Sequence, residues 1–174
     1  MKYAGIVLLM GMTMFLGCGD TEDEDTKDPV RMILELENNM SHMEGFNRLK
    51  NIERKINLTG AFVSDKRRIE VIFNNLISNA IKYQDYNKKH PKVLIEIFDN
   101  VPSNELTIRI TDNGIGISDT NQEKIFEMFY RASDRSKGAG LGLYIIRETV
   151  DKLNGNIVLT STPEEFTCFE IVLP

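Results

Sequence analysis

This chain of 174 residues has little cysteine, no surplus of basic charge and no long hydrophobic run. Its two cysteines, Cys18 and Cys168, stand in unrelated contexts, which excludes a cysteine-based metal pattern and argues against a disulfide. Asp and Glu outnumber Lys and Arg by 26 to 21, so the basic patch of a nucleic-acid-binding protein is missing. The resulting charge of −5 is uneven: residues 1–28 hold two lysines and six acids, −4 of that total. The uncharged, mostly apolar run at residues 3–17 is too short for a comfortable membrane span, which takes about 20 residues. The length allows one well-buried domain and is too small for two ordinary ones.

The N-terminus reads as a leader. Lys2 gives a minimal positive start, and the apolar run ends in Phe15-Leu16-Gly17-Cys18. This resembles a bacterial lipoprotein signal, with Phe15 standing where leucine is more common. The resemblance implies a lipidated Cys18, membrane attachment, and residues 1–18 as a signal peptide. An uncleaved anchor or a fused upstream sequence is the alternative. Residues 19–28 are acidic, contain nothing apolar to bury, and are expected to be a disordered tether.

The stretch from Arg68 to Tyr83 organises the rest of the chain. Ile69, Ile72, Phe73, Leu76, Ile77 and Ala80 recur at helical spacing, and Ser64-Asp65 supplies a cap for a helix beginning at Lys66. Asn75, Asn79 and Lys82 share a neighbouring stripe. Two carboxamide oxygens one turn apart suit a hard cation such as Mg²⁺, and the lysine suits phosphate. Taken alone, the same stripe equally suits the solvated flank of a core helix.

Two glycine-rich stretches lie downstream. Asp112-Asn113-Gly114-Ile115-Gly116 comes after a strand-like run at 105–111, and Gly138-Ala139-Gly140-Leu141-Gly142-Leu143 opens a helical run ending at Leu153. Glycine lets backbone amides approach a ligand, and a helix N-terminus favours phosphate. In this order the three motifs resemble the ATP-binding catalytic domain of bacterial sensor histidine kinases, across residues 29–174. The resemblance implies a two-layer α/β sandwich whose mixed, largely antiparallel sheet carries helices on one face, with an ATP lid at 117–140. It implies ATP and Mg²⁺ as ligands, with Asn75 and Asn79 at the metal, Lys82 at phosphate, and Asn75 and Lys82 as catalytic residues. Tyr83, Gly114, Gly116, Gly138, Gly140, Leu141 and Gly142 fall at nucleotide-binding positions. Asp112 matches the aspartate that accepts from the adenine amino group; guanine presents an oxygen there, which a buried carboxylate repels. Phe126 and Phe129 match the family's phenylalanine motif. Arg131 and Lys137 both suit the triphosphate, and spacing alone does not choose between them.

Asn75 occupies the place where hydrolytic relatives carry a glutamate. An amide cannot take a proton from water near neutral pH, so the chain resembles the kinase branch. Transfer needs an acceptor histidine. His42, in an amphipathic run at 30–51, lacks the family's following acid and proline, and His90 lies in a polar loop at 84–91. The dimerisation and phosphoacceptor domain is therefore expected on another chain, acting in trans, with a response regulator downstream. A regulatory nucleotide-binding module and a truncated remnant are the competing readings. An exported leader also conflicts with a domain that uses cytoplasmic ATP. The remaining strands are expected at 53–58, 61–63, 92–98, 156–161 and 167–173. Gly155 is expected to end the last helix, and Phe166 stands where the final turn commonly has glycine.

Overall fold

The computed structural model describes residues 51–59, 64–85, 87–100, 102–132 and 139–174. The leader, the tether, the helix expected at 30–51 and the strand expected at 61–63 lie outside the described residues, apart from Asn51. So do Cys18, His42, Lys137 and Gly138.

Five strands form one mixed sheet: β1 (Asn51–Asn57), β2 (Lys92–Asn100), β3 (Glu105–Asp112), β4 (Asn156–Thr162) and β5 (Phe166–Leu173). Their spatial order is β1-β2-β3-β5-β4. The β1/β2 pair is parallel and the other three pairs are antiparallel. Among the described residues three helices accompany it: α1 (Lys66–Lys82), the single turn α2 (Asp119–Gln122) and α3 (Gly142–Lys152). The expected α/β sandwich is thus the observed one.

The alternation in the strands explains why one face is covered. Val93, Ile95 and Ile97 of β2, Leu106, Ile108 and Ile110 of β3, and Phe169, Ile171 and Leu173 of β5 are all buried. They meet the apolar stripe of α1, in which Ile72, Phe73 and Ile77 have no exposed surface, and Ile146 and Val150 of α3. The intervening residues form an ion-paired row on the open face. There Lys55 meets Glu96 at 3.2 Å, Arg109 reaches Glu96 at 3.7 Å, and Arg109 also pairs with Glu170. Free Cys168 lies between Thr160 and Thr111 in the register of that face.

The ends of the elements follow local chemistry. Asp65 caps α1, its carboxylate accepting from the Arg68 amide at 3.1 Å. The expected role of Gly155 needs correction. Asn154 takes the left-handed backbone after α3, with φ of 55°. Asparagine tolerates that region because its short polar side chain can hydrogen-bond locally. Gly155 is small for packing: a Cβ there would lie 2.6 Å from both Leu173 Cδ2 and Val172 O. The last turn also works without glycine. Glu164 takes its left-handed position at φ of 63°, and Phe166 belongs to β5. β1 begins two residues earlier than expected, at Asn51.

Candidate nucleotide site

Two adjoining cavities lie between α1, the 113–118 turn, and the segment leading into α3. The inner one, of about 150 Å³, is mostly apolar, with Ile115, Ile117, Ile125, Leu143 and Phe169 on its walls and Asp112 among them. The outer one, of about 290 Å³, is more polar and is lined by Asn75, Lys82, Gly140, Leu141 and Gly142. Asn79, Tyr83, Ile125, Tyr130, Arg131 and Leu143 belong to both. Residues dispersed from 75 to 169 in sequence therefore share one cleft.

Asp112 ends β3, is 9% exposed, and sits across from buried Thr167 of β5. Its Oδ1 accepts from the Gly114 amide at 2.8 Å. Burial pushes its carboxyl up to about 6; the Gly114 hydrogen bond and the charge of Lys88 act in the opposite direction. The glycines beside it are enforced by contact. A Cβ on Gly114 would lie 2.3 Å from Tyr83 O, and the next amide, Ile115, donates to that same carbonyl at 3.0 Å. Gly116 has φ of 67°, and its Cβ would lie 2.2 Å from Thr162 O. The turn is thus wedged between the end of α1 and the β4–β5 hairpin.

On α1, the Asn75 amide donates to Val71 O at 2.8 Å, which fixes the carboxamide. Its Oδ1 would lie 3.0 Å from a Cβ on Gly142, so the carboxamide oxygen borders the start of α3. Asn79, one turn on, is half-buried, and its side chain makes no hydrogen bond to other described residues. Lys82 Nζ stands 5.1 Å from the centre of the Tyr83 ring. No side chain caps α3, whose first residues, Gly142 and Leu143, line the cleft. Such unpaired amides suit an anion. Among the described residues no cluster of acids, histidines or cysteines could hold a metal alone. Two neutral carboxamide oxygens fit Mg²⁺ that arrives already bound to phosphates, since such an ion keeps most of its ligands from phosphate and water.

In the segment expected to be the lid, the described residues that follow α2, up to Phe129, are mostly turns. Gln122 Nε2 donates to Ile117 O and Ser161 O, both at 3.0 Å, and Tyr130 OH donates to Asn121 at 2.9 Å. The two phenylalanines stand apart from the cleft. Phe126 is buried edge-on to Phe169 at 6.3 Å, with the Arg147 guanidinium 5.0 Å from its ring. Phe129 is 65% exposed, with φ of 66°. Neither lines the two cavities, whereas their neighbours Ile125 and Tyr130 do. Gly140, at φ of 70°, accepts from the Phe129 amide at 3.0 Å and closes this segment.

Sequence reasoning missed Thr167, Tyr130 and Leu143 as lining residues, and Lys88 behind the glycine turn. A single hydrophobic or hydroxyl residue carries no local signal of this kind.

Comparison with known proteins agrees with this geometry. ThkA, a histidine kinase catalytic domain, superposes with a TM-score of 0.67 over 86% of this chain and 94% of its own, at 24% identity. The mycobacterial sensor histidine kinase MprB gives 0.63, at 24% identity, over 82% of this chain and 93% of its own. ShkA, solved in complex with AMPPNP, gives 0.65 at 22% identity, over 85% of this chain and 31% of its own. Sensor protein kinase WalK of Staphylococcus haemolyticus is 39% identical over 115 residues, 63% of this chain. WalK of Staphylococcus aureus gives the same identity over the same length. The chain spans only 18% and 27% of those two curated relatives. Residues 64–174, well over half of the sequence, match the family described as histidine kinase-, DNA gyrase B-, and HSP90-like ATPase, and the chain belongs to that family.

Proposed function

We propose that this domain binds Mg²⁺-ATP and passes the γ-phosphate to a histidine on another chain, from which a response regulator takes it. One observation carries the nucleotide reading: a buried carboxylate, Asp112, at the wall of an apolar chamber that opens into a polar one. The chamber suits a flat heterocycle. Asp112 accepts a hydrogen bond from an exocyclic amine and rejects the oxygen that guanine offers. Lys82 and the first amides of α3 bind and orient the phosphates. The carboxamides of Asn75 and Asn79 hold Mg²⁺, which supplies charge neutralisation on the phosphate oxygens. Asn75 holds no exchangeable charge and leaves water unactivated, which favours transfer over hydrolysis.

His90 is exposed on the 87–90 turn, and its carbonyl accepts from Asn113 Nδ2 at 2.9 Å. That tie engages the backbone of the loop rather than presenting the imidazole to the outer chamber. An acceptor in trans fits this placement. The test has two steps. Titration calorimetry with ATP and GTP, each with Mg²⁺, is expected to show a clear preference for ATP; equal affinities would remove Asp112 from its role. Radiolabelled ATP is then offered to the domain together with a separate acceptor hairpin from a related kinase. Acid-labile label on the hairpin is expected. Label on this chain alone, lost in His42→Ala, overturns the trans reading. Label on neither, despite ATP binding, favours a regulatory module or a remnant.

A further inference from the structure

Lys88 lies outside both cavities, yet its ammonium holds three backbone carbonyls. Nζ donates to Asn113 O at 2.8 Å, Gly114 O at 3.2 Å and Glu165 O at 2.9 Å. An ammonium has three donors, so all are used. The loop is built to present it: Asp85 Oδ1 accepts from the Asn87 amide at 2.9 Å, and Asp85 O accepts from the Lys88 amide at 3.1 Å. A lysine held only on the open surface gains little from neutral carbonyls and loses rotamer freedom. This one reaches carbonyls 25, 26 and 77 positions away in sequence.

The peptide units involved carry the inference. Asn113 O and the Gly114 N–H belong to one planar peptide. Its oxygen takes the Lys88 ammonium, and its N–H donates to Asp112 Oδ1 at 2.8 Å. The following peptide is pinned likewise, its oxygen by Lys88 and its N–H, from Ile115, by Tyr83 O at 3.0 Å. A cation on a peptide oxygen polarises that peptide and strengthens the bond made by its N–H. We propose that Lys88 is a positioning residue for nucleotide recognition, setting the orientation and charge of the Asp112 carboxylate through the Asn113–Gly114 peptide. The groups acting on Asp112 from around it are this amide, the Lys88 charge and, across the strand, neutral Thr167.

The proposal rests on Asp112 as the adenine-reading group, and its test separates the two. The full chain is prepared as parent, Lys88→Met, Asp112→Asn and the double variant. The Asp112 carboxyl is followed by carbon NMR against pH without nucleotide, and adenosine affinity is measured at neutral pH. In Lys88→Met the carboxyl is expected to titrate at higher pH. Adenosine binding should weaken by about tenfold or more, the scale of a charge-assisted hydrogen bond. The double variant should bind no worse than Asp112→Asn. An unmoved Asp112 titration in a folded Lys88→Met protein overturns the proposal, and so do additive losses in the double variant. If adenosine affinity is indifferent to Asp112→Asn, the adenine reading fails while the titration still decides the role of Lys88. Lys88→Gln, which keeps a donor without charge, gives the same readout should the Met variant not fold, with a smaller upward shift expected and none refuting.

Discussion

Replacing Asp112 with asparagine should make the domain more stable and a worse nucleotide binder. The carboxyl is raised from 3.8 to about 6 by burial. At about 1.4 kcal/mol per pKa unit, holding it ionised in the folded state costs about 3 kcal/mol. The direction follows from proton counts. Between about pH 4 and pH 6 the folded protein binds more protons at this site than the unfolded chain, so stability falls as pH rises through that window. Above about pH 6 the penalty is complete; below about pH 4 the group is neutral in both states and the penalty vanishes. Asparagine avoids it at every pH. The Gly114 amide at 2.8 Å keeps an acceptor in the asparagine oxygen, and what its bond gives the charged form is already contained in the value of about 6.

The net expectation is a gain of about 2–4 kcal/mol for Asp112→Asn above pH 6, shrinking to about zero near pH 4. Urea unfolding of both proteins without nucleotide, at a series of pH values, gives the difference directly, because every other titrating group is shared. Adenosine affinity should fall by about 1–3 kcal/mol in the same variant. In the parent, adenosine should bind more weakly as pH drops through about 6, since the protonated carboxyl no longer accepts from the base; adenosine carries no phosphate to confuse the titration. A stability difference that stays flat from acid to neutral pH would refute the reasoning, and so would a variant less stable than the parent at neutral pH.

Three further outcomes rest on particular residues. Asn79 is half-buried with no side-chain hydrogen bond among described residues, so Asn79→Ala should leave the unfolding free energy within about 0.5 kcal/mol. The same substitution should weaken Mg²⁺-dependent ATP binding while sparing adenosine; adenosine binding and stability falling together would make the residue structural. Gly116→Ala puts a Cβ 2.2 Å from Thr162 O at φ of 67°, and urea unfolding should show a loss of about 2–4 kcal/mol. A loss under about 0.5 kcal/mol would mean that the 113–118 turn is not wedged against the hairpin. Cys18→Ser should abolish labelling by a fatty-acid probe in cells, and a parent protein that never takes label argues against lipidation of the leader.

Much of this fold was legible because its elements bury one face each. The stripe of α1 and the alternation in β2, β3 and β5 are periodic signals, and these elements, like α3 and β4, lie within one or two residues of where the sequence reading puts them. The discrepancies fall where the deciding partner is remote. Gly155 looks like a helix stop, but its smallness answers to the distant Leu173, while Asn154 makes the turn. Glu164 adopts a glycine-like backbone in a hairpin whose amide at that position donates to Ile115 O at 2.8 Å. The loop containing Lys88 reads only as polar, because the carbonyls it binds leave no mark on the side chains of residues 113, 114 and 165. Motif spacing located the polar side chains of α1 and Asp112 that touch the cleft, and was blind to most of its apolar wall and to the backbone bonds that hold it.

The distribution of charge in the cleft bears on why an amide stands at position 75. Among the described residues lining the two chambers, Asp112 is the one acid, and it belongs to the inner, apolar chamber. The outer chamber has Lys82 and Arg131 and no carboxylate among its described residues. A glutamate in place of Asn75 would lose the bond its amide donates to Val71 O at 2.8 Å. It would also set a negative charge at the start of α3, where phosphate is expected, and provide a base for water. Each change favours spending the nucleotide on hydrolysis or repelling it. With Asn75 anchored to its own helix and no base among the described residues of the outer chamber, the proposed site would stabilise phosphate charge without activating an attacking group. On that reading the nucleophile would come from elsewhere, which is the part the proposed histidine in trans would play.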